Sequence, residues 1–497
     1  MGGGERYSGM LATVLADQVD SVELLTHDEV DLEAVGAHLG IDLAKVSLRV
    51  VPDTGEADLT DLTADYDVFV NASYMSRLAG RARRNLYVVY FPTPHDHDLN
   101  AVQRLLLRRL GPWAATPGSS FEHGRGWFPP EGGRRRTWSW TGGDGVVVVT
   151  GGESRRLTFD VGRPGATKGS TLTVWAGEER LRDVAVIPGV FTPVTLDLPP
   201  ARHGTELHFR SDTFRPGAAD ARSLGVAVSR LRAGGRSMSL RQRLGYRLPY
   251  LRRDPYNLEF LTSYSRVISI SEYTRSWVRR YWGVESDVLF PPVATDAVVA
   301  GPKVDRILSV GRFFGPGRGH DKKQLEMVRA FVDLRRRGLL EGWDYHLVGG
   351  SSPEDEVYVA AVRAAAAGQP VHIHANAPRT VLRELLESSR VFWHATGLGE
   401  DVAARPWLFE HFGITTVEAM AAGCVPVVIA SAGQLEIVRD GVDGFRFSTV
   451  AQLQDATLRV AGSQQLQDRL AAAARDRANV FSEGAFAERW RALSGFL

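Results

Sequence analysis

Cysteine is nearly absent. The chain of 497 residues has one, Cys424, so no internal disulfide is available and a reducing compartment fits. Long hydrophobic runs are missing too: the longest, around 420–433, contains Pro426 and falls short of the roughly 18 residues a membrane span needs. The N-terminus lacks a basic stretch followed by an apolar one, so no secretory signal is expected. Net charge is absent as well. Lys+Arg 59 against Asp+Glu 58 leaves +1, which excludes a global field for nucleic acid or an anionic surface. A cytoplasmic protein with no nucleic-acid partner is therefore expected. What is present, 44% hydrophobic and 24% charged residues, is ordinary globular composition, and the length suggests about three domains.

Lysine is scarce: five of the 59 basic residues are Lys45, Lys168, Lys303, Lys322 and Lys323. Against that bias the adjacent Lys322 and Lys323 stand out, because a compact ammonium there replaces the wider arginine fork. A solvated loop pair is the plainer alternative.

Texture changes along the chain. Up to about residue 128, short apolar runs such as Val46–Val51 and Leu86–Tyr90 alternate with helical segments, which predicts parallel βα units. Gly2, Gly3 and Gly4 lead straight into a helix-like segment, although a strand should precede such a glycine turn. From about 129 to 235, strand-like runs separated by Gly, Pro and Asp turns predict a β-sandwich-like module. Its aromatic residues, among them Trp138, Trp140, Trp175 and Phe209, read as core before they read as a sugar-stacking face. The basic stretch 236–253 reads either as a membrane-surface contact or as a solvated face. From Val267 onward strand–helix alternation resumes, giving a second doubly wound domain and a cleft between the two.

Two constellations carry chemistry. After the strand Arg306–Val310 come Gly311 and Arg312, a loop with Gly315, Gly317 and Gly319, then Lys322 and a helix. Glycines admit backbone N–H groups to a phosphate, the helix start adds positive charge, and the two cations grip phosphate oxygens. The second constellation is Glu410-His411-Phe412-Gly413-Ile414-Thr415-Thr416-Val417-Glu418, two carboxylates spaced eight apart around a glycine turn and a helix start. Carboxylates accept the paired hydroxyls of a ribose or hexose, and free N–H groups at such a start meet a phosphate. Helix capping by acids accounts for one of the two glutamates and poorly for both. His394, at the end of the strand Val391–Trp393, is a further candidate, with a hydrogen-bonded structural role as the alternative. Cys424 reads as an inert core thiol.

The run Glu410–Glu418, with Glu418–Gly423, Gly433–Val438 and Gly441–Phe445, resembles the E-x7-E region of the retaining GT-B glycosyltransferases of family 4, the glycosyl transferases group 1. Gly311-Arg312 and Lys322 are similar to that family's diphosphate pair, and the likeness extends over most of the chain outside about 129–235. It implies an α/β GT-B fold, with two Rossmann-like doubly wound domains facing a cleft and an inserted β-sandwich-like module. The domain limits become 1–128, continued by 236–295 and 485–497; 129–235 for the insertion; and 296–484 for the nucleotide-sugar domain. The implied activity is transfer of a hexose from a nucleoside-diphosphate sugar to a glycan or lipid-linked acceptor, with no cofactor and no metal.

The resemblance implies roles for single residues. Arg312, Lys322 and Glu410 would be catalytic, and Gly311, His394, Phe412, Gly413, Ile414, Thr415 and Glu418 would bind the donor. Gly3 and Gly4 would form the glycine turn. Two departures stand out. Tyr90 occupies the place where members often carry His, which makes Tyr90, His95 and His97 the acceptor-side candidates. The strand that normally precedes the glycine turn is also missing, which means either a misassigned start or a sheet lacking an edge or central member. Asp96-His97-Asp98 and Asp65-Tyr66-Asp67 both spell D-x-D, a match too cheap to imply a metal. The alternatives are a non-catalytic glycan-binding protein on the same fold and, less favoured, an epimerase or hydrolase.

Overall fold

Short β-branched runs between amphipathic segments pair as parallel strands wherever helices cover both faces. That rule governs the two ends of the chain, and antiparallel pairing governs its middle. The computed structural model describes residues 3–51, 56–115, 121–124, 126–128, 131–132, 136–149, 156–198, 205–216, 222–233, 236–237, 248–252, 257–297, 300–315 and 320–494. Packing divides the chain into one unit of residues 1–93 and 258–497 and another of residues 94–257.

The first unit opens with α1 (Gly3–Ala16), β1 (Val22–Thr26), α2 (Leu32–Leu39) and β2 (Val46–Val50). Next come α3 (Glu56–Leu62), β3 (Val68–Asn71) and β4 (Arg84–Val89). β1 and β2 pair in parallel as a sheet of their own, apart from the sheet that holds β3 and β4. The N-terminal sheet is thus in two pieces. Val22 on one and Val68 and Val70 on the other pack half-buried beside the cluster that includes Tyr7 and Leu11 of α1. Gly3 and Gly4 do not form a turn, as the sequence suggests, but lie in the first turn of α1.

The second unit contains α4 (Ala101–Ala115) and antiparallel strands. Among them are β5 (Glu122–His123), β6 (Glu131–Gly132), β7 (Thr137–Trp140), β8 (Asp144–Val149) and β9 (Arg156–Gly162). β10 (Ser170–Ala176), β11 (Glu179–Val186), β12 (Thr192–Asp197), β13 (Thr205–Arg210), β14 (Ala227–Ala233) and β15 (Arg236–Ser237) follow. One sheet runs β11-β10-β13-β8-β5 and the other β12-β9-β14-β7-β6. Alternate residues of both, including Val147, Phe159, Val174, Leu207 and Phe209, form one buried cluster. Because β5 pairs with β8, the sheets begin ahead of residue 129. Trp140 is buried and Trp138 and Trp175 are partly so. Of the basic stretch 236–253, residues 238–247 and 253 lie outside the described residues; the membrane reading gains no observation. Among the described residues no helix is long and apolar enough to cross a membrane.

Back in the first unit, β16 (Arg266–Ser269) and β17 (Asp287–Val288) complete a parallel sheet in the order β17-β16-β4-β3. Between them stands α5 (Glu272–Trp282), capped by Ser271, whose Oγ accepts the Thr274 N–H at 3.0 Å. A second parallel sheet follows, made of β18 (Val304–Val310), β19 (Asp344–Gly349), β20 (Val371–Ala375), β21 (Ser389–His394), β22 (Val425–Ile429) and β23 (Phe445–Phe447). Its order is β20-β19-β18-β21-β22-β23. Helices Gln324–Arg336, Glu356–Ala366 and Val450–Ala461 bury one face, and Arg379–Ser388 and Ile414–Ala421 pack on the other. Cys424 is buried there, its thiol 3.2 Å from the Ser389 carbonyl. One further cluster joins both halves of the unit, running from Tyr7, Val88 and Ile268 through Val417 and Met420 to Trp490 of the last helix, Glu483–Ser494.

Arg163 is the polar anchor of the second unit, at 1% exposure. Its Nε donates to the Gly225 carbonyl at 3.0 Å and its Nη2 to the Asp212 carbonyl at 2.6 Å, with the guanidinium 4.7 Å over Phe214. Arg163→Met leaves both carbonyls unpaired and is expected to destabilise this unit by about 3 kcal/mol. Chemical denaturation of the whole chain, with an unchanged midpoint as the contrary outcome, checks this.

Candidate active site

The carboxyl ends of parallel strands are where a doubly wound sheet opens toward a ligand. At the end of β18, Gly311 is followed by Arg312, and the Lys322 side chain folds back against Gly311. At the end of β21 stands His394. The loop carrying Glu410 enters the same place. Lys322 Nζ lies 2.6 Å from Glu410 Oε2, and His394 Nε2 lies 3.0 Å from that same oxygen. Thr396 Oγ1 is 3.2 Å from His394 Nε2, while His394 Nδ1 is buried without a hydrogen-bond partner. Both members of the ion pair keep about a fifth of their side-chain surface, 19% for Lys322 and 20% for Glu410. The cavity behind them, lined by Ser309, Gly311, Lys322, Gln324 and His394 among others, is only about 10 Å³.

Electrostatics at this point follow from burial and one cation. Burial pushes the Glu410 carboxyl up, but the Lys322 ammonium and the His394 hydrogen bond together hold it well below the usual carboxylate range. Burial lowers His394, with Glu410 opposing. Burial and then Lys322 bring His320 down to about 4. Glu418 sits on the helix Ile414–Ala421, and burial raises its carboxyl against the pull of Arg6 and Arg379.

Gly413 starts that helix with φ +124°, a backbone conformation closed to residues with a side chain. Its carbonyl accepts the N–H groups of Thr416 and Val417 at 3.0 and 3.3 Å. The N–H groups of Ile414 and Thr415, in the first turn, have no intrahelical partner. Phe412 is buried beside them, and Gln434 Nε2 donates to its carbonyl at 3.4 Å. The start of α1 meets this turn: a Cβ on Gly3 would stand 2.6 Å from Ile414 Cδ1. Gly4 lies beside Tyr90, whose hydroxyl donates to the Gly4 carbonyl at 3.2 Å.

The structure therefore brings together Gly311, Lys322, His394 and Glu410, with Phe412–Thr415 and Glu418 along the adjoining loop and helix, and sets Gly3 against Ile414 and Gly4 beside Tyr90. Arg312 is exposed, its guanidinium 5.8 Å from the Phe314 ring centre. Gly317 and Gly319 lie outside the described residues. His95 and His97 belong to the second unit, where His97 Nδ1 is 2.8 Å from the Pro94 carbonyl. Lys323 is not part of the site; it pairs with Glu400 at 2.9 Å and Asp321 at 3.4 Å.

Sequence reasoning missed the residues that fix the Glu410 loop. His411 stacks on Phe91 with ring centres 4.1 Å apart, His320 meets it edge-on, and Ser271 Oγ donates to its carbonyl at 2.6 Å. The Glu436 carboxylate accepts the N–H groups of Glu272 and Tyr273 at 2.8 and 2.7 Å. Glu436 lies in Gly433–Val438, which the sequence singled out without assigning it this role.

Comparison with known proteins agrees with the geometry. Residues 299–477 match the family model of glycosyl transferases group 1. That stretch holds the clustered residues from Gly311 to Glu418 and is rather more than a third of the chain. No curated protein matches. The chain is similar to Alr3699/HepE of Anabaena in complex with UDP-glucose, with a TM-score of 0.53 at 11% identity, covering 100% of this chain and 97% of that one. At that identity the likeness concerns the fold. The same protein with UDP and glucose aligns at 17% identity over 47% of this chain and 64% of that one, TM-score 0.39. A sucrose-phosphate synthase of Thermosynechococcus elongatus aligns at 20% over 49% and 61%, TM-score 0.40. In these two alignments the match spans less than two thirds of the solved chain.

The histidines make the site acid-sensitive. His320 is neutral when folded at pH values above about 4, whereas an unfolded histidine takes up its proton near 6.5. Its contribution is full above about pH 6.5 and is lost as pH falls toward 4. His320→Asn is expected to flatten the pH dependence of stability in that window by an amount on the order of 2 kcal/mol, the ring being partly buried. Melting temperatures from pH 7.5 to 4.5 measure this; parallel curves for both proteins contradict it.

Proposed function

We propose that the chain is a retaining glycosyltransferase of the GT-B type, with two Rossmann-like domains and a β-sandwich inserted into the first. It moves a hexose from a nucleoside-diphosphate sugar to a glycan or lipid-linked acceptor. The observation that carries this reading is the Lys322–Glu410 pair at the strand ends, followed along the chain by the Gly413 turn and the helix that carries Glu418.

Each group has a task. Lys322 turns from Glu410 to the donor diphosphate, and Arg312 joins it from the exposed loop. As the bond between the anomeric carbon and the diphosphate oxygen breaks, negative charge grows on the leaving group. Once the donor is bound, the two cations and the helix-start N–H groups stabilise that charge as it develops. Glu410, released from Lys322, accepts a hydroxyl of the donor sugar and keeps its bond to His394. Glu418 accepts the ribose hydroxyls. The acceptor oxygen forms the new bond to the anomeric carbon on the face the diphosphate leaves, and its proton passes to the leaving phosphate oxygen. No protein nucleophile is needed, and metal-free charge neutralisation is what the two cations supply. The β-rich insertion is assigned to acceptor binding.

Two outcomes are expected. Lys322→Ala lowers kcat by about 100–1000-fold, the usual effect of removing one group that stabilises transition-state charge. In a thermal-shift panel of GDP, UDP, ADP and dTDP, one nucleotide stabilises the protein, by about 2.7 kcal/mol at 100 times its Kd. Glu418→Ala abolishes that shift. No shift with any nucleotide contradicts the proposal and favours a glycan-binding protein on the same fold.

A further inference from the structure

A cluster of side chains of metal-ligand type lies at the other end of the C-terminal sheet. Asp344 opens β19 and His346 is two residues on; His372 is the second residue of β20 and His374 the fourth. Alternation along a strand puts residues two apart on one face. The register pairs His346 with His372, so all four side chains share that face. Gly311 and His394, by contrast, stand where their strands finish.

The details point to a ligand. Asp344, His346 and His372 each offer one ligand atom, and the three atoms lie within 4.8 Å of one another. His346 is 8% exposed, and its Nε2 is buried without a hydrogen-bond partner. That nitrogen is 3.4 Å from Asp344 Oδ2. Metal bonds of about 2.0–2.2 Å around a tetrahedral centre set neighbouring ligand atoms about 3.4 Å apart. The other nitrogen, His346 Nδ1, is 2.9 Å from His374 Nε2. A metal-bound imidazole characteristically donates its second N–H in this way. Asp344 is held from behind by Arg306, whose Nε and Nη2 donate to its two oxygens at 2.9 and 3.0 Å. His372 is exposed, which leaves one side of the cluster open to water.

We propose that Asp344, His346 and His372 bind a divalent transition-metal ion of the zinc class, with water in the fourth position and His374 orienting His346. Two imidazoles and one carboxylate select such an ion over magnesium or calcium, which take oxygen ligands. The Arg306 charge weakens the site relative to a closed four-ligand one but fixes the carboxylate. The site is independent of the proposed transfer reaction, whose cations are Arg312 and Lys322.

The test is a titration of the full-length, metal-stripped protein with Zn²⁺ against a chromophoric chelator, repeated with Mg²⁺ and followed by a Co²⁺ absorption spectrum. One equivalent of Zn²⁺, a tetrahedral Co²⁺ spectrum and no competition by Mg²⁺ are expected. His372→Ala, at an exposed ring that meets the His346 ring at 4.5 Å between centres, weakens Zn²⁺ binding by at least roughly tenfold. Asp344→Asn does the same. Absence of stoichiometric Zn²⁺ binding, equal binding of Mg²⁺, or unchanged affinity in His372→Ala overturns the proposal. Nucleotide binding is measured on the same samples, so failure of the donor site and failure of this site are read separately.

Discussion

One ion pair governs the geometry of the C-terminal half. Lys322 and Glu410 meet at 2.6 Å in a place that is four-fifths shielded from water. Two such charges lose several kcal/mol of solvation each, and only close contact with further hydrogen bonds offsets that. His394 supplies one of those bonds. An ammonium held this way is ready for an anion. Under the proposed function a diphosphate would replace Glu410 as the partner of Lys322 and Glu410 would gain sugar hydroxyls, exchanging one satisfied state for another.

The surrounding fold positions that pair from several directions. The loop with Glu410 is tied to the N-terminal half by Ser271 and by the stack of Phe91 on His411. Glu436 fastens the start of α5 to the segment that follows the Glu410–Glu418 helix. Gly3 lets the start of α1 approach Ile414 closely. A shared apolar cluster runs beneath these contacts. The Glu410 loop is thus joined to the N-terminal half through a few hydrogen bonds and one aromatic stack.

Much of this was legible in the chain itself, for definite physical reasons. Strand–helix alternation is a local pattern, and the Glu410–Glu418 spacing is set by one turn and one helix, so both survive reading in one dimension. Scarcity of lysine singled out Lys322, although it also drew attention to Lys323, whose partners are Asp321 and Glu400. Contacts across long separations were not legible. His411 with Phe91 and Glu436 with the start of α5 depend on how two halves pack, and no local pattern encodes that. The histidines of β19 and β20 were hidden in the same way, because they meet only through the register of neighbouring strands. Gly3 and Gly4 were misread as a turn because glycine-rich starts suggest one; both lie in a helix, and Gly3 allows close approach to Ile414. Among the described residues the parallel strands of the N-terminal half form two separate sheets, a pairing that no local pattern encodes.

The central claim is that Lys322 changes partner when the donor binds. A crystal structure of the protein with its preferred nucleoside diphosphate tests it most directly. The account predicts Lys322 Nζ on a diphosphate oxygen, Glu410 turned toward the sugar side with its His394 bond intact, and the Glu418 carboxylate on the ribose. A diphosphate bound elsewhere, with the Lys322–Glu410 contact unbroken, would contradict it.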